Sequence, residues 1–496
     1  MNPHASPLRA RDTAQILGLF IGTRLIYLLL GLKFDDTTPL SFMQFIDLPL
    51  LRERLLESVW YLHSQPPLLN LFTGIGLKLF GDQAWIFYAL CFHALGYALA
   101  VSVFCVTRRL TQSITAAYCA TIIMVASPAF VLYENWLMYT FPTAALLGMA
   151  TYFLAQYVDR RTVVWGTAFF ATLACIALTR SLFHIVWLVG ITGLLLLLLK
   201  PQRKQTLLAA IVPILAVLGW YAKNFVYFGV FSASTTMGLG LSNVTTLTVT
   251  QQELLPLVAE QRLSPFALVS RYTDTGILFA SQQLEPRGIP VLDSVMKSTG
   301  HFNYNNEQMI AVNRFYTRDA ITVARTFPFN YVVGVVFANR LFFSPSHMNE
   351  YFLEENKNAV RHIAPMFNAA LYGAGPRTKY MVQPHFGLSG QPSLEVNTGI
   401  GLILAWIVLL PYCYVRARRA LVSKTAPDLG FAIIVGFALI NVIYVYLLGT
   451  ALELAENYRY KFLIEPLFIV LATVAITDGL RALKTRMGLR SAPAIE

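Results

Sequence analysis

Long apolar runs separated by short polar segments organise most of the chain. Gln15–Leu32, Ala84–Val106, Val163–Leu178, Leu182–Leu199, Leu207–Val226, Gly399–Val415, Phe431–Leu448 and Phe462–Ile476 are nearly free of charge. Each approaches the roughly 20 residues that a helix needs to cross about 30 Å of hydrocarbon. In lipid, backbone polar groups must be satisfied within the segment, so each run predicts a helix. Two stretches break the pattern, Lys33 to Gln83 and Gly229 to Asn397, and both are far longer than ordinary connections. In the first, Leu50, Leu51, Leu55 and Val59 recur at helical spacing among Arg52, Glu53, Arg54 and Glu57. That spacing predicts an amphipathic helix lying on the membrane. In the second, Phe329–Phe343 is apolar but short, which predicts an interfacial or re-entrant segment. A further weak helix near Asn358–Tyr372 is the alternative that would add spans.

The expected fold class is an all-α polytopic membrane protein with about 10–12 transmembrane helices. Residues 1–228 form an N-terminal transmembrane region with a first outer loop at 33–83. Residues 229–397 form an extended outer region with interfacial helices, and 398–496 the C-terminal transmembrane helices. Composition agrees. The 496 residues are 56% hydrophobic and 13% charged, and the mean hydropathy is +0.55, which a soluble globule cannot hide from water.

A net charge of +12 raises nucleic acid as a partner, but its placement argues otherwise. Lys and Arg gather at Arg9/Arg11, Arg108/Arg109, Arg160/Arg161, Lys200/Arg203/Lys204, Arg416/Arg418/Arg419/Lys424 and Arg481/Lys484/Arg486/Arg490. All of these fall on one side when about ten spans are drawn with both termini cytoplasmic, the positive-inside pattern. The two long stretches then face the other side. The five cysteines lie within apolar runs, which excludes a disulfide framework and shows no zinc spacing. Gln15–Leu32 lacks a small-residue cleavage site and reads as a span, not a removed signal peptide.

Polar residues collect at the expected outer helix ends. Asp35-Asp36 end the first span, and His63-Ser64-Gln65-Pro66-Pro67 close the first outer helix. Glu134-Asn135 end the third span, Arg180 the fifth and Lys223-Asn224 the seventh. Glu453, Glu456, Arg459 and Lys461 flank the last. Arg24 lies inside the first span, about three turns below Asp35. A carboxylate there can accept a proton from an acceptor hydroxyl or amine. Arg and Lys can bind a phosphate leaving group and stabilise the charge developing on it. A water-facing pocket at the lipid boundary admits a donor whose tail stays in the bilayer.

These features, in this order, resemble the GT-C glycosyltransferases, particularly the protein O-mannosyltransferase and aminoarabinose-transferase branch. The resemblance rests on Asp35-Asp36, on Gln65–Leu68 running to Phe80-Gly81, and on Glu134. It continues through Lys223-Asn224-Phe225 with Phe228-Gly229, and Glu456-Asn457-Tyr458-Arg459-Tyr460 with Pro466. It implies a GT-C-like bundle that moves a sugar from a polyprenyl-phosphate donor to an extracytoplasmic glycan, lipid or protein. It also implies a bacterial inner-membrane protein whose active site faces the periplasm. The first-loop acid implied as base is Asp36 or Asp35. The donor-phosphate ligands implied are Arg180, Lys223, Arg459 and Lys461, with His63, Gln65, Glu134, Asn135, Asn224 and Glu456 around the substrate. The chain departs from the family where Thr37-Thr38-Pro39 follow the acids and where Ser64-Gln65 separate His63 from Pro66, so Asp47 is a rival base.

Plainer readings stand beside these. Asp35-Asp36 also read as a solvated helix exit, Glu134 as a polar turn, His63 as a turn residue beside Pro-Pro, and Arg180 and Arg459 as snorkelling side chains. Arg24 reads as paired with an acid on a neighbouring helix, and His93 and His184 as core residues. Trp60, Tyr61, Trp136 and Tyr139 read as an interfacial aromatic belt. No cofactor is certain. A divalent metal such as Mg or Mn is left open, although two adjacent acids without a third ligand make a weak site. The competing functions are a transporter or flippase of lipid-linked sugars, which predicts broken helices with polar groups at the midplane, and a polysaccharide polymerase or ligase.

Overall fold

A computed structural model describes residues 9–246, 248–269, 285–381, 393–423 and 425–488. Lys424 and Arg490 lie outside the described residues. Six helices are long and apolar enough to cross a membrane: Ala10–Leu29, Leu68–Thr111, Lys200–Phe228, Ile400–Ser423, Ala426–Ala451 and Asn457–Arg486. Two bent pairs raise the number to eight if each is one span. These are Ile114–Val125 with Pro128–Glu134, bent by 59°, and Gln308–Thr326 with Pro328–Phe342, bent by 109°. The expected spans at Val163 and Leu182 are shorter helices, Val163–Ala177 and Ile185–Leu198. At 1.5 Å per residue each reaches only about 20–23 Å.

Each bend has a proline at the first or second position of its second helix, where a missing N–H costs nothing. At the first bend the freed carbonyls are not left bare. Arg24 Nη1 donates to Val125 O at 3.0 Å and Tyr27 Oη to Ala126 O at 2.8 Å.

The Thr140–Arg160 helix sits at the centre, packed against Ala84–Thr111, Val163–Ala177 and Asn457–Arg486. Its buried Ala144, Ala145, Gly148 and Ala150 let these backbones approach closely, the usual means of helix association without water. The opposite pattern marks lipid-facing surface. Leu207, Leu208, Ile211, Val212 and Leu215 project from one face of the Arg203–Phe228 helix and are exposed, at the 3.6-residue period. The chain is an integral membrane protein. At the basic end, Asp12 pairs with Arg108 at 3.2 Å and Asp159 with both nitrogens of the Arg109 fork at 2.9 Å.

The first loop differs from its expected single helix. Two short helices, Leu48–Glu53 and Leu55–Trp60, are broken at Arg54, whose ψ is 43°. Leu51, Leu55 and Val59 are buried with Phe228, Val291, Leu292 and Ile310, so the amphipathic face docks on protein, while Leu56 and Trp60 remain exposed. The helix period located the apolar stripe but could not say what would cover it. Within 229–397 lie helices Met237–Thr246, Gln251–Ala259, Gln308–Thr326 and Pro328–Phe342. An antiparallel pair of strands, Ala374–Met381 with Ser393–Gly399, adds an element that no apolar periodicity announced.

Candidate active site

A cavity of about 570 Å³ opens where the ends of distant segments meet. Its wall draws on the first loop (Ser41–Gln44 and Gln65), the turn Arg180–Leu182 with His184, and Ser232 to Asn243. It also draws on His301–Tyr304, Tyr351, Tyr444 and the connector Leu452–Glu456 with Tyr460. The size falls within the range of about 300–1,000 Å³ typical of small-ligand sites.

Arg180 follows the Val163–Ala177 helix, its N–H bonded to Ile176 O at 2.9 Å. Its side chain is only 3% exposed. The guanidinium carbon lies 4.4 Å from the Tyr460 ring centroid and 4.8 Å from that of Tyr139. These π faces attract a cation, but they supply no hydrogen-bond acceptor in its plane. Among the described residues no carboxylate lies within 4 Å of Arg180 and Nη1 has no hydrogen-bond partner. A desolvated guanidinium left in this state is costly unless an anion joins it.

Arg459 lies one layer behind, completely buried. Nη1 donates to Glu456 Oε1 and Nε to Thr140 Oγ1 at 3.2 Å, with Trp136 and Tyr139 facing the charge at 5.2 and 5.1 Å. Neither arginine reaches for water, so snorkelling does not describe them. Trp136 and Tyr139 are buried beneath these cations and form no interfacial belt, whereas Trp60 is half exposed.

Glu453 sits in the connector between Ala426–Ala451 and Asn457–Arg486. Its Oε1 accepts from the Leu454 N–H at 3.0 Å and from Asn243 Nδ2 at 3.4 Å. Oε2 lies so close to the Gly240 backbone that any Cβ there would collide with it, which gives that glycine a steric purpose. Burial and then the neighbouring Glu456 carboxylate push the Glu453 carboxyl up to about 8.

Gln65, Arg180 and Glu456 thus line the cavity, and Arg459 supports it. The other expected site residues are engaged elsewhere. Asp35 caps its own turn, accepting from Thr37 N at 3.0 Å and Thr37 Oγ1 at 2.6 Å, and burial pushes its carboxyl up. Asp36 lines a second cleft of about 410 Å³ with Arg52, Asp82, Trp85 and Tyr88. Both Asp47 oxygens are taken by Ser298, at 2.7 and 2.8 Å. The first-loop acids, expected to supply a base, are therefore not in the wall of the Arg180 cavity.

Lys223 donates to Leu62 O at 2.8 Å, and Lys461 donates to Ser344 O beside Glu465. Both lysines satisfy backbone carbonyls instead of facing the cavity. Burial drives the His63 imidazole down to about 3, and its ring nitrogens are held by Thr235 Oγ1 at 2.9 Å and Asn305 O at 3.1 Å. Asn135 donates to Val131 O and Asn224 to Ser232 O. Glu134 is fully buried and pairs with Arg24 at 2.8 Å, with His93 Nδ1 at 3.3 Å.

No family model matches the chain. No curated protein matches it either. Solved structures do. The chain is similar to ArnT from Cupriavidus metallidurans bound to undecaprenyl phosphate, at 14% identity over 97% of this chain and 82% of that one, with a TM-score of 0.34. It is similar to the Archaeoglobus fulgidus oligosaccharyltransferase tethered with an acceptor peptide containing the NVT sequon, at 13% identity over 97% of this chain, with a TM-score of 0.39. The chain spans about half of that protein, 52% of its length.

Sequence reasoning passed over three residues of the wall. Glu453 stood in the polar segment before the last span but had no role. His184 was read as a core residue, yet it lines the cavity while its Nδ1 accepts from Val186 N–H at 3.3 Å. Asn243 carries no role in the sequence reading, yet it lines the cavity and donates to Glu453 Oε1 at 3.4 Å. Among the described residues no three His, Cys, Asp or Glu side chains converge as metal ligands. Asp35 is occupied by Thr37, and among the described residues Asp36 joins no group of three such ligands, so these residues do not make a divalent-metal site and no step below uses one.

Proposed function

We propose that this chain is a membrane glycosyltransferase that moves a sugar from a polyprenyl-phosphate donor to an acceptor outside the cytoplasm. The observation that carries the reading is Arg180, a buried guanidinium in a cavity wall with no anion of its own among the described residues. A phosphate ester whose tail stays in the bilayer is an anion of the right kind. Charge-assisted hydrogen bonds to it are strong where water is excluded. As the glycosidic C–O bond breaks, negative charge grows on that phosphate, and a guanidinium already in place stabilises it without reorganisation. Gln65 and the surrounding tyrosines offer hydrogen bonds and ring faces to a sugar. Glu453 and Glu456 supply carboxylates for the acceptor side, and Arg459 fixes Glu456.

The distribution of Lys and Arg supports an orientation with this cavity on the non-cytoplasmic side, and the resemblance to GT-C enzymes implies that this is the periplasmic face of a bacterial inner membrane. A transporter of lipid-linked sugars would place polar substrate groups at its broken helices. At the 59° bend the Arg24 cation is instead already matched in charge by Glu134, Nε on Oε2 at 2.8 Å.

The test is to incubate the purified protein with a panel of polyprenyl-phosphate sugars and candidate acceptors. Release of free polyprenyl phosphate together with sugar on the acceptor is the expected result. Movement of intact donor across vesicles without its cleavage would replace the enzyme reading with the transporter.

A further inference from the structure

The proposed transfer needs a group to receive the acceptor proton, and the carboxylates near the cavity differ sharply in how they are held. Asp35 is closed by Thr37 and Asp47 by Ser298, while Asp36 faces the second cleft. Glu456 lines the cavity but accepts from the Arg459 guanidinium, which draws on its basic lone pairs. Glu453 also lines the cavity and is held by one oxygen alone. Oε1 takes the Leu454 and Asn243 donors, whereas Oε2 has no hydrogen-bond partner among the described residues. That free oxygen lies against Gly240, another residue of the wall.

We infer that Glu453 is the catalytic base, taking the proton of the acceptor hydroxyl on Oε2; this assignment rests on the glycosyltransferase reading above. In the step, the acceptor O–H bond breaks and its proton goes to Glu453. The acceptor oxygen bonds to the anomeric carbon as the bond from that carbon to the phosphate oxygen breaks. The departing electron pair stays on the phosphate, facing Arg180. No oxidant, reductant or further reactant is required.

The surroundings suit a base that works near neutral pH. Glu456 stands beside it on the same connector, with Arg459 behind. Arg180 faces it from the turn after Ala177, and Tyr351 and Tyr460 from their own segments. Burial and the Glu456 carboxylate raise its affinity for a proton, to a carboxyl of about 8, against the weaker opposing influence of Arg180. A general base is most effective when its pKa lies near the working pH.

The experiment is the pH dependence of kcat/KM, read as release of polyprenyl phosphate with a fixed acceptor, for wild type and Glu453→Gln. Wild type should rise with pH through an apparent pKa near 8, because only the ionised carboxylate accepts the proton. Glu453→Gln should lose about 10²–10⁴-fold in turnover, lack that limb, and still bind free polyprenyl phosphate within about twofold of wild type. An active wild type beside a Glu453→Gln variant within about threefold of it overturns the base assignment and leaves the glycosyltransferase reading standing. A wild type that cleaves no donor fails the reading itself. If Glu453→Gln cannot be purified folded, the wild-type profile still decides, since a profile with no rising limb anywhere from the ordinary carboxylate range of about 4.3 up to about pH 9 overturns the assignment.

Discussion

Arg24, partly buried, and Arg180, buried, are two arginines with similar aromatic surroundings and opposite electrostatic fates. Arg24 lies over Phe20 and Phe130, at 3.8 and 4.8 Å, and Arg180 over Tyr460 and Tyr139. Arg24 has its acid: Nε meets Glu134 at 2.8 Å, and Nη1 reaches Thr23 Oγ1 and the Val125 carbonyl at the helix bend, with Nη2 left without a partner among the described residues. Gly96 clears the space for the Glu134 carboxylate, where any Cβ would collide with it. Arg180 has rings and a cavity but no acid within 4 Å among the described residues. A charge at membrane depth is expensive wherever it sits, so its partner indicates its purpose. A charge-matched pair is architecture, and an open cation is a place for an anion.

The comparison is most easily broken at Glu134. Glu134→Ala leaves the partly buried Arg24 uncompensated, which costs up to about 3–5 kcal/mol, the range for removing one partner of a buried ion pair. A thermal-melt series in detergent should show a large fall in Tm, and the double change Arg24→Met with Glu134→Leu should recover much of it. A single variant as stable as wild type would mean that the pair does not hold the bend.

Arg180 should give the reverse pattern. Arg180→Ala removes no ion pair, so the melting temperature should move little. Donor use should weaken by about 1.5–3 kcal/mol, the worth of hydrogen bonds to a charged group, or about 10- to 10²-fold in kcat/KM. Arg180→Lys should recover only part of it, since a point charge cannot reproduce a planar fork. Donor kinetics unchanged in Arg180→Ala would reduce the cavity to a void.

Much of this was legible in the sequence, in the places where local chemistry dictates the outcome. Apolar runs of bilayer length gave the long helices, and Arg24 inside a span implied a partner acid. Arg180 stood out because a cation ending an apolar run is conspicuous. What failed was the sorting of polar residues at one depth into those that share a cavity and those that serve the backbone. Lys223 and Lys461 resemble Arg180 in position, but three-dimensional chain paths send them to Leu62 O and Ser344 O. Trp136 and Tyr139 looked interfacial because burial beneath two arginines is a tertiary fact. Glu453 became distinct only through Gly240 and Asn243, residues more than two hundred positions away.

The first-loop acid provides the smallest expected effect and the finest discrimination. By resemblance Asp36 belongs with the chemistry, yet it is exposed and lines the cleft of Arg52, Asp82 and Tyr88, away from Arg180. Its neighbour Asp35 holds the backbone instead, its N–H donating to Asn135 O and its carbonyl accepting from Leu137 N–H, at 2.8 and 2.9 Å. Asp36→Asn keeps shape and removes only charge at an exposed position, so stability should change by less than about 0.5 kcal/mol. With the proton going to Glu453, turnover should stay within about threefold of wild type, and the limb near pH 8 should persist. The measurement is the same pH profile, run beside Glu453→Gln. A fall of about 10²–10⁴-fold in Asp36→Asn would return the base to the first loop. It would also require the two clefts to join when donor and acceptor are bound, because one carboxylate cannot serve a hydroxyl it does not reach.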